Sequence, residues 1–194
     1  MVSKGFLGVP GVFYSCLGLY LKRCYTMKPT RQKNKESVVA IRRATEDDLF
    51  AIHEVLRKGF NTLHSRGYST KAIETAILTP SLIRRRLLTP EIRIFVATEK
   101  NQIIGTATGT KQWGHLHIQS LAVDPKYQRR RVGSRLILEL EKHAHQTDCN
   151  KLFAQTAWVM FESIKLYWRL GFELEGYHPG HFWGEDLLSF GKIL

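Results

Sequence analysis

Cysteine and acidic side chains are scarce in this 194-residue chain, and each shortage removes a class of explanation. The three cysteines, Cys16, Cys24 and Cys149, are odd in number and sit at no metal-ligand spacing, so they read as free thiols in a reducing, cytoplasmic setting. His143 and His145 do not complete a ligand set with Cys149 or with His115 and His117, so no metal is expected. Only 17 Asp and Glu oppose 29 Lys and Arg, which leaves a formal charge of +12 and points to an anionic partner. Half of that excess lies in residues 1–37, where seven Lys and Arg face Glu36 alone. Arg84, Arg85 and Arg86, and again Arg129, Arg130 and Arg131, are basic runs without a nucleic-acid-binding motif around them, so no nucleic acid is expected. Internal repeats and low-complexity tracts are absent.

Long apolar runs are missing as well. The uncharged stretch at residues 5–21 is short for a bilayer span and contains Gly and Pro, and a polar, basic segment follows it. Three readings stay open: a membrane contact or targeting segment, a dispensable extension ahead of a start at Met27, or a peptide packed on the domain. Residues 1–37 are therefore set apart as an N-terminal extension, and residues 38–194 as one domain of ordinary globular composition.

Within that domain the hydrophobic pattern alternates between strand and helix. Residues 38–44 read as a strand; Thr45 reads as an N-cap before a helix carrying Ile52, Val55 and Leu56, with Gly59 and Asn61 marking its exit. A second helical region spans residues 70–88 and is broken by Pro80. Strands follow at 93–98, 103–110 and 115–123, then a helix with Val132, Leu136, Ile137, Leu140 and Ala144 on one face. A strand at 151–157, a helix at 161–170, and strands at 172–177 and 186–193 around the loop "HPGHFWG" complete an α/β layout with a mixed central sheet flanked by helices.

Two blocks carry a resemblance. After the strand "SLAV" and the corner "DP" comes "QRRRVG" opening a helix, and about 35 residues later comes "LYWRLGF". The first resembles the Q/R-x-x-G-x-G/A acetyl-CoA corner of the GNAT superfamily of N-acetyltransferases, and the second its C-terminal signature, here Leu166, Tyr167, Gly171 and Phe172. "HIQSLAV" is closest in feel to the protein N-terminal acetyltransferase branch. Arg131 stands where the family usually has its first Gly, and Met160 where it often has Asn. The resemblance implies a single GNAT-like domain with acetyl-CoA as co-substrate. Pantetheine and acetyl groups would run along Leu121, Ala122 and Val123, and the pyrophosphate would sit on Gln128, Arg129, Arg130, Arg131, Val132, Gly133 and Ser134. Elementary chemistry agrees, because a helix N-terminus presents unpaired N–H groups and the positive end of a dipole to an anion.

Direct acetyl transfer to an amine needs a proton acceptor, a partner for the thioester oxygen as it gains charge, and a proton donor for the leaving thiolate. The family pattern gives the last role to Tyr167, although its position on an apolar helix face equally suits a core aromatic. His117 is the candidate base. It shares a strand face with His115, has an ordinary pKa near the amine's, and stands out because the next strand offers Gln155 where an acid is common. Unpaired backbone N–H groups at residues 121–123 are the expected oxygen partners. Cys149 is not expected to act as a nucleophile. The acceptor is expected to be a primary amine of a protein or peptide, with Glu185, Asp186 and Trp183 as candidate acceptor-edge residues. Acetylation of a small-molecule amine and non-catalytic acetyl-CoA binding are the alternatives.

Overall fold

Seven strands form one mixed sheet in the computed structural model, which describes residues 39–194. In chain order the elements are β1 (Ala40–Arg43), α1 (Leu49–Asn61), α2 (Thr70–Ala76), α3 (Pro80–Leu88), β2 (Ile92–Glu99), β3 (Gln102–Gln112), β4 (His115–Val123), α4 (Val132–Gln146), β5 (Lys151–Ala157), α5 (Phe161–Arg169), β6 (Glu173–Phe182) and β7 (Glu185–Ile193). Spatially the strands run β1-β2-β3-β4-β5-β7-β6, and every neighbouring pair is antiparallel except β4 with β5. The expected α/β class and central mixed sheet are what the chain forms. The apolar stretch at residues 5–21, Cys16, Cys24 and the readings attached to Met27 lie outside the described residues. Among the described residues no helix is long and apolar enough to cross a membrane.

The two faces of the sheet bury different helices. Val132, Leu136, Ile137 and Leu140 of α4 and Ile164 of α5 pack with Leu116, Ile118, Leu152 and Ala154 on one side. Ile52, Val55 and Leu56 of α1 and Ile83 of α3 pack with Ile94, Val96 and Ala122 on the other. A smaller cluster places Ala72 and Ile73 of α2 against Ala157 and Leu187.

Local chemistry sets most boundaries. The Asp48 carboxylate accepts from the Thr45 N–H at 2.8 Å and from both terminal nitrogens of Arg42 at 2.7 and 2.8 Å, which ties β1 to the start of α1. The hydrogen bond from Arg42 holds the Asp48 carboxyl below the usual carboxylate range, against the opposing effect of burial. Pro80 occupies the first turn of α3 behind a Thr79 cap whose hydroxyl accepts from Leu82 N–H at 3.3 Å, so the break expected at this proline is a helix start. Three hairpins close in two residues, at Lys100 and Asn101, Trp113 and Gly114, and Trp183 and Gly184. All six have φ between 42° and 84°, the left-handed region that two-residue hairpin turns require.

One expectation holds and one needs correcting. α1 ends at Asn61, in the exit region expected at Gly59 and Asn61, and within its last turn a Cβ on Gly59 would come within 3.2 Å of the Ala122 Cβ; its bareness lets α1 settle onto β4. "HPGHFWG" is not a free loop: β6 runs on to Phe182, crossing Pro179 through a register irregularity that an outermost strand tolerates.

Gly109 on β3 is packed more tightly still, since a Cβ there would stand 2.7 Å from Leu140 Cδ2 and 3.0 Å from Leu116 Cδ2. Gly109→Val is expected to cost about 1–3 kcal/mol through overpacking, read as a lowered urea midpoint with an unchanged m-value.

Candidate active site

β4 and β5 pair over only four positions. The register runs from His115 with Lys151 to Ile118 with Ala154 and then stops, so residues 119–123 have β3 on one side and no partner strand on the other among the described residues. A bulge at the same place marks the parting. Gln119 pairs with Thr108 and Ala122 with Thr106, which leaves Ser120 and Leu121 opposite the single residue Ala107, and Ser120 adopts φ 49°. Backbone groups of Leu121, Ala122 and Val123 therefore line an open edge, the condition under which a ligand gains by pairing with them.

The corner after β4 is a fixed turn. Asp124 is buried, its Oδ1 accepting from the Lys126 N–H at 3.0 Å and its Oδ2 from Lys58 Nζ of α1 at 3.3 Å. Gln128 Nε2 donates to the Val123 carbonyl at 3.2 Å, closing the turn over the strand end. Arg129 and Arg131 both adopt φ 61°, and alternation of this kind turns successive backbone N–H groups into one concavity that suits an anion. The left-handed backbone at Arg131, the residue immediately before α4, explains physically why a glycine suits that position. The arginines do not act as one cluster. All three are exposed, and Arg130 pairs with Glu99 of β2 and lies over the Tyr127 ring at 5.3 Å. Gly133 does not face the turn: a Cβ there would meet Leu166 Cδ2 of α5 at 3.2 Å, so this glycine sets the approach of α4 to α5. Val132 is buried beneath it and Ser134 is half-buried.

Tyr167 sits on α5 in the α4 side of the core, 3% exposed, its ring 5.5 Å from Phe190 and 5.2 Å from Phe172. Burial raises its pKa above the ordinary phenol value, so the hydroxyl is a proton carrier at neutral pH. It makes no hydrogen bond to another described residue. Met160, one residue before α5, has its sulfur engaged by the Thr156 hydroxyl at 3.3 Å.

On the opposite face lie His115, His117 and Gln119, since Leu116 and Ile118 point into the α4 core. The His117 ring packs tilted against Phe153 at 5.1 Å, its Nδ1 is 3.4 Å from Gln119 Nε2, and Gln119 Oε1 accepts from the Thr110 hydroxyl at 3.1 Å. Burial, followed by the charges of His115 and Arg86, lowers the His117 pKa to about 4, so the imidazole is neutral at physiological pH. Across the gap Gln155 Nε2 reaches Ser189 Oγ at 3.5 Å, and Ser189 in turn lies 2.5 Å from His178 Nε2.

Other expected acceptor-edge groups are engaged elsewhere. Glu185 accepts from the Ser69 N–H at 2.6 Å, and Asp186 accepts from the Tyr177 hydroxyl at 2.5 Å and the Gly180 N–H at 2.8 Å. Trp183 stacks under Lys71 at 5.0 Å. His143 packs on the Phe95 ring, Cys149 is buried and free, and no group of potential metal ligands exists among the described residues. Sequence reasoning missed Arg86, which donates from α3 to Ser120 Oγ at 3.3 Å and contributes to the field on His117.

Two stability outcomes follow from this geometry. Arg131→Gly removes a left-handed non-glycine residue, worth about 1–2 kcal/mol, and adds about 0.5–1 kcal/mol of chain entropy cost, so a net gain near 0.5–1 kcal/mol is expected in denaturant titration. His117 and His143 both have folded pKa values below the ordinary value of an unfolded histidine, so the unfolded chain binds more protons as pH falls below about 6.5. Stability should therefore decline from about pH 6.5 toward pH 4, and His117→Gln should flatten that decline in melting curves.

The chain matches the Acetyltransferase (GNAT) family model over residues 51–172. No curated relative matches. Among solved structures it is similar to PaiA N-acetyltransferase from Thermoplasma acidophilum in complex with coenzyme A, with TM-score 0.71 and 18% identity over 81% of this chain and 99% of that one. It is also similar to an N-acetyltransferase from Staphylococcus aureus Mu50, with TM-score 0.67 and 22% identity over 81% and 99%. A third is the ribosomal-protein-S18-alanine N-acetyltransferase of Escherichia coli, with TM-score 0.66 and 17% identity over 80% and 94%. These identities speak to the fold, whereas the family match spans well over half of the chain: it belongs to the GNAT acetyltransferase family, acyltransferases that use acetyl-CoA as co-substrate.

Proposed function

We propose that this protein moves an acetyl group from acetyl-CoA directly to a primary amine of a protein or peptide, with the cofactor seated between the open edge of β4 and the turn before α4. The observation that carries the reading is the coincidence of two independent features. A strand edge released after Ile118 leads, within ten residues, into a turn whose backbone is wound for an anion at Arg129 and Arg131. An extended arm ending in a pyrophosphate fits that sequence of surfaces. The protein-terminal acceptor rests on the resemblance of "HIQSLAV" to the N-terminal acetyltransferase branch, and on the likeness of fold to the ribosomal-protein-alanine enzyme.

In this reading the N–H groups of Arg129, Arg131 and the first turn of α4 hold the pyrophosphate, while Gln128 and Arg130 keep the turn in shape through Val123 and Glu99. Leu121, Ala122 and Val123 orient the arm through their open edge. Bound acetyl-CoA supplies the activated acetyl group and a thiolate leaving group. Tyr167, kept protonated by burial and with no partner for its hydroxyl among the described residues, is the proton donor.

His117 takes a narrower role than its ordinary pKa suggests. Carrying a proton from an α-ammonium of pKa about 8 to an imidazole near pKa 4 is uphill by about 5 kcal/mol, so His117 does not deprotonate the amine before binding. It is instead a neutral acceptor for the N–H of an amine that arrives uncharged: it takes the proton that the nitrogen sheds as the C–N bond forms and the C–S bond breaks and releases it to solvent, while Tyr167 regains from solvent the proton it gives to the thiolate, and Gln119 and Phe153 steady the imidazole.

Tyr167→Phe, which keeps the ring between Phe172 and Phe190, is expected to leave the melting temperature and acetyl-CoA affinity nearly unchanged while turnover falls by roughly 10² to 10⁴. Parental turnover in that variant, on a verified acceptor, would return Tyr167 to a purely structural role. Between about pH 5 and 9, kcat/KM of the parent should rise with the pKa of the amine and show no break near 6.5. A break there would mean that His117 titrates as an exposed imidazole.

A further inference from the structure

The geometry points to an acceptor that carries a carboxylate close to its amine, received by the guanidinium of Arg86. This rests on the acetyl transfer to a primary amine proposed above and specifies what the acceptor carries beside that amine.

Arg86 is an unusual cation in this molecule. The other arginines near acids are paired: Arg42 with Asp48, Arg57 with Glu54, Arg66 with Glu162, Arg84 with Glu46 and Arg130 with Glu99. Arg86 is half-buried between α3 and the sheet, and its one hydrogen bond among the described residues goes to a neutral hydroxyl, Ser120 Oγ. Burial lowers its pKa, the mark of a charge taken out of water without an anion to compensate it. Such an arrangement is costly unless a partner arrives from outside, and a planar guanidinium suits a carboxylate best.

Its position gives the partner a meaning. Ser120 is the bulged residue immediately before Leu121, where β4 leaves β5, and Arg86 acts electrostatically on His117 of the same strand. The groups around the gap are otherwise neutral or basic: His115, His117, Gln119, Gln155, Ser189 and His178. Both carboxylates of the β6–β7 hairpin are occupied, Glu185 by the Ser69 N–H and Asp186 by Tyr177 and Gly180. A polycationic acceptor therefore finds no anionic partner among these residues, and a carboxylate-bearing amine finds a cation. Neutralising Arg86 would also remove one of the influences that hold the His117 pKa down.

The carboxylate has two sources, the α-carboxylate of a free amino acid or an acidic side chain near a peptide amino terminus. The experiment compares kcat/KM for free amino acids against their α-amides, for peptides beginning Ser-Asp or Ser-Glu against Ser-Asn or Ser-Gln, and for spermidine. The carboxylate member of one pair should be preferred by about tenfold or more, and the favoured pair identifies the source. Arg86→Gln should erase the preference and Arg86→Lys retain part of it, with acetyl-CoA affinity by calorimetry unchanged in both. Should Arg86→Gln fail to give a folded melting transition, inhibition of the parent by N-acetylated product decides, the acid form binding more tightly than its amide. Equal rates on both members of every pair, or a preference that survives Arg86→Gln, overturns the assignment and leaves the acetyltransferase reading intact. Acetyl-CoA binding with no acetylation of any amine overturns both.

Discussion

The parting of β4 from β5 is the constraint on which the rest of the molecule turns. Two parallel strands with four paired positions would be a weak seam in most sheets. Here the seam is held from both faces: α4 and α5 lie across it on one side, with Ile137, Leu140 and Ile164 in the same cluster as Leu116, Ile118, Leu152 and Ala154. On the other side Gly59 lets α1 sit directly on Ala122. The sheet therefore opens at a chosen residue without losing its core. The bulge at Ser120 swings the strand aside, Asp124 anchors its end to Lys58, and the left-handed residues before α4 turn the chain so that a helix begins where the open edge ends.

Electrostatics divide along the same line. On the proposed cofactor side, fixed backbone dipoles face solvent and three exposed arginines surround them, so attraction for a polyanion needs no buried charge. On the proposed acceptor side the groups are desolvated instead: His117 is driven neutral, and Arg86 has no anionic partner among the described residues. A neutral imidazole beside a desolvated guanidinium is a poor place for an ammonium ion, which means that the acceptor's own protonation state becomes part of recognition.

Much of this was legible in the sequence because it is written in short-range patterns. The strand at His115–Val123 and the strand at Lys151–Ala157 coincide with the hydrophobic runs read there, and the helix after the corner shows its buried face at Val132, Leu136, Ile137, Leu140 and Ala144. Pro80 and the "QRRRVG" turn announce themselves by residue type. Contacts between distant segments left no such trace. Nothing local to "SLIRRRLL" separates Arg86, under the sheet, from Arg84 and Arg85 at the surface, because helical phase alone decides it. The engagement of Glu185 by Ser69 joins residues 116 positions apart. Gly133 matched the motif, yet its side of closest approach is Leu166, visible only once α4 and α5 are docked. The depressed pKa of His117 is likewise a property of burial rather than of residue type.

The irregular path of β6 has a consequence for how copies of this chain meet one another. β6 is the outermost strand on its side of the sheet, and an outermost strand presents a row of unpaired amide groups to any extended segment that approaches. Its pairing with β7 slips twice, between Leu174 and Gly176 and between His178 and Phe182, and Pro179 removes one N–H donor from the row. A flat strand of ten residues would be a template for intermolecular sheet growth. Broken in this way, the edge offers only short stretches of regular backbone, which protects a basic protein from edge-to-edge association.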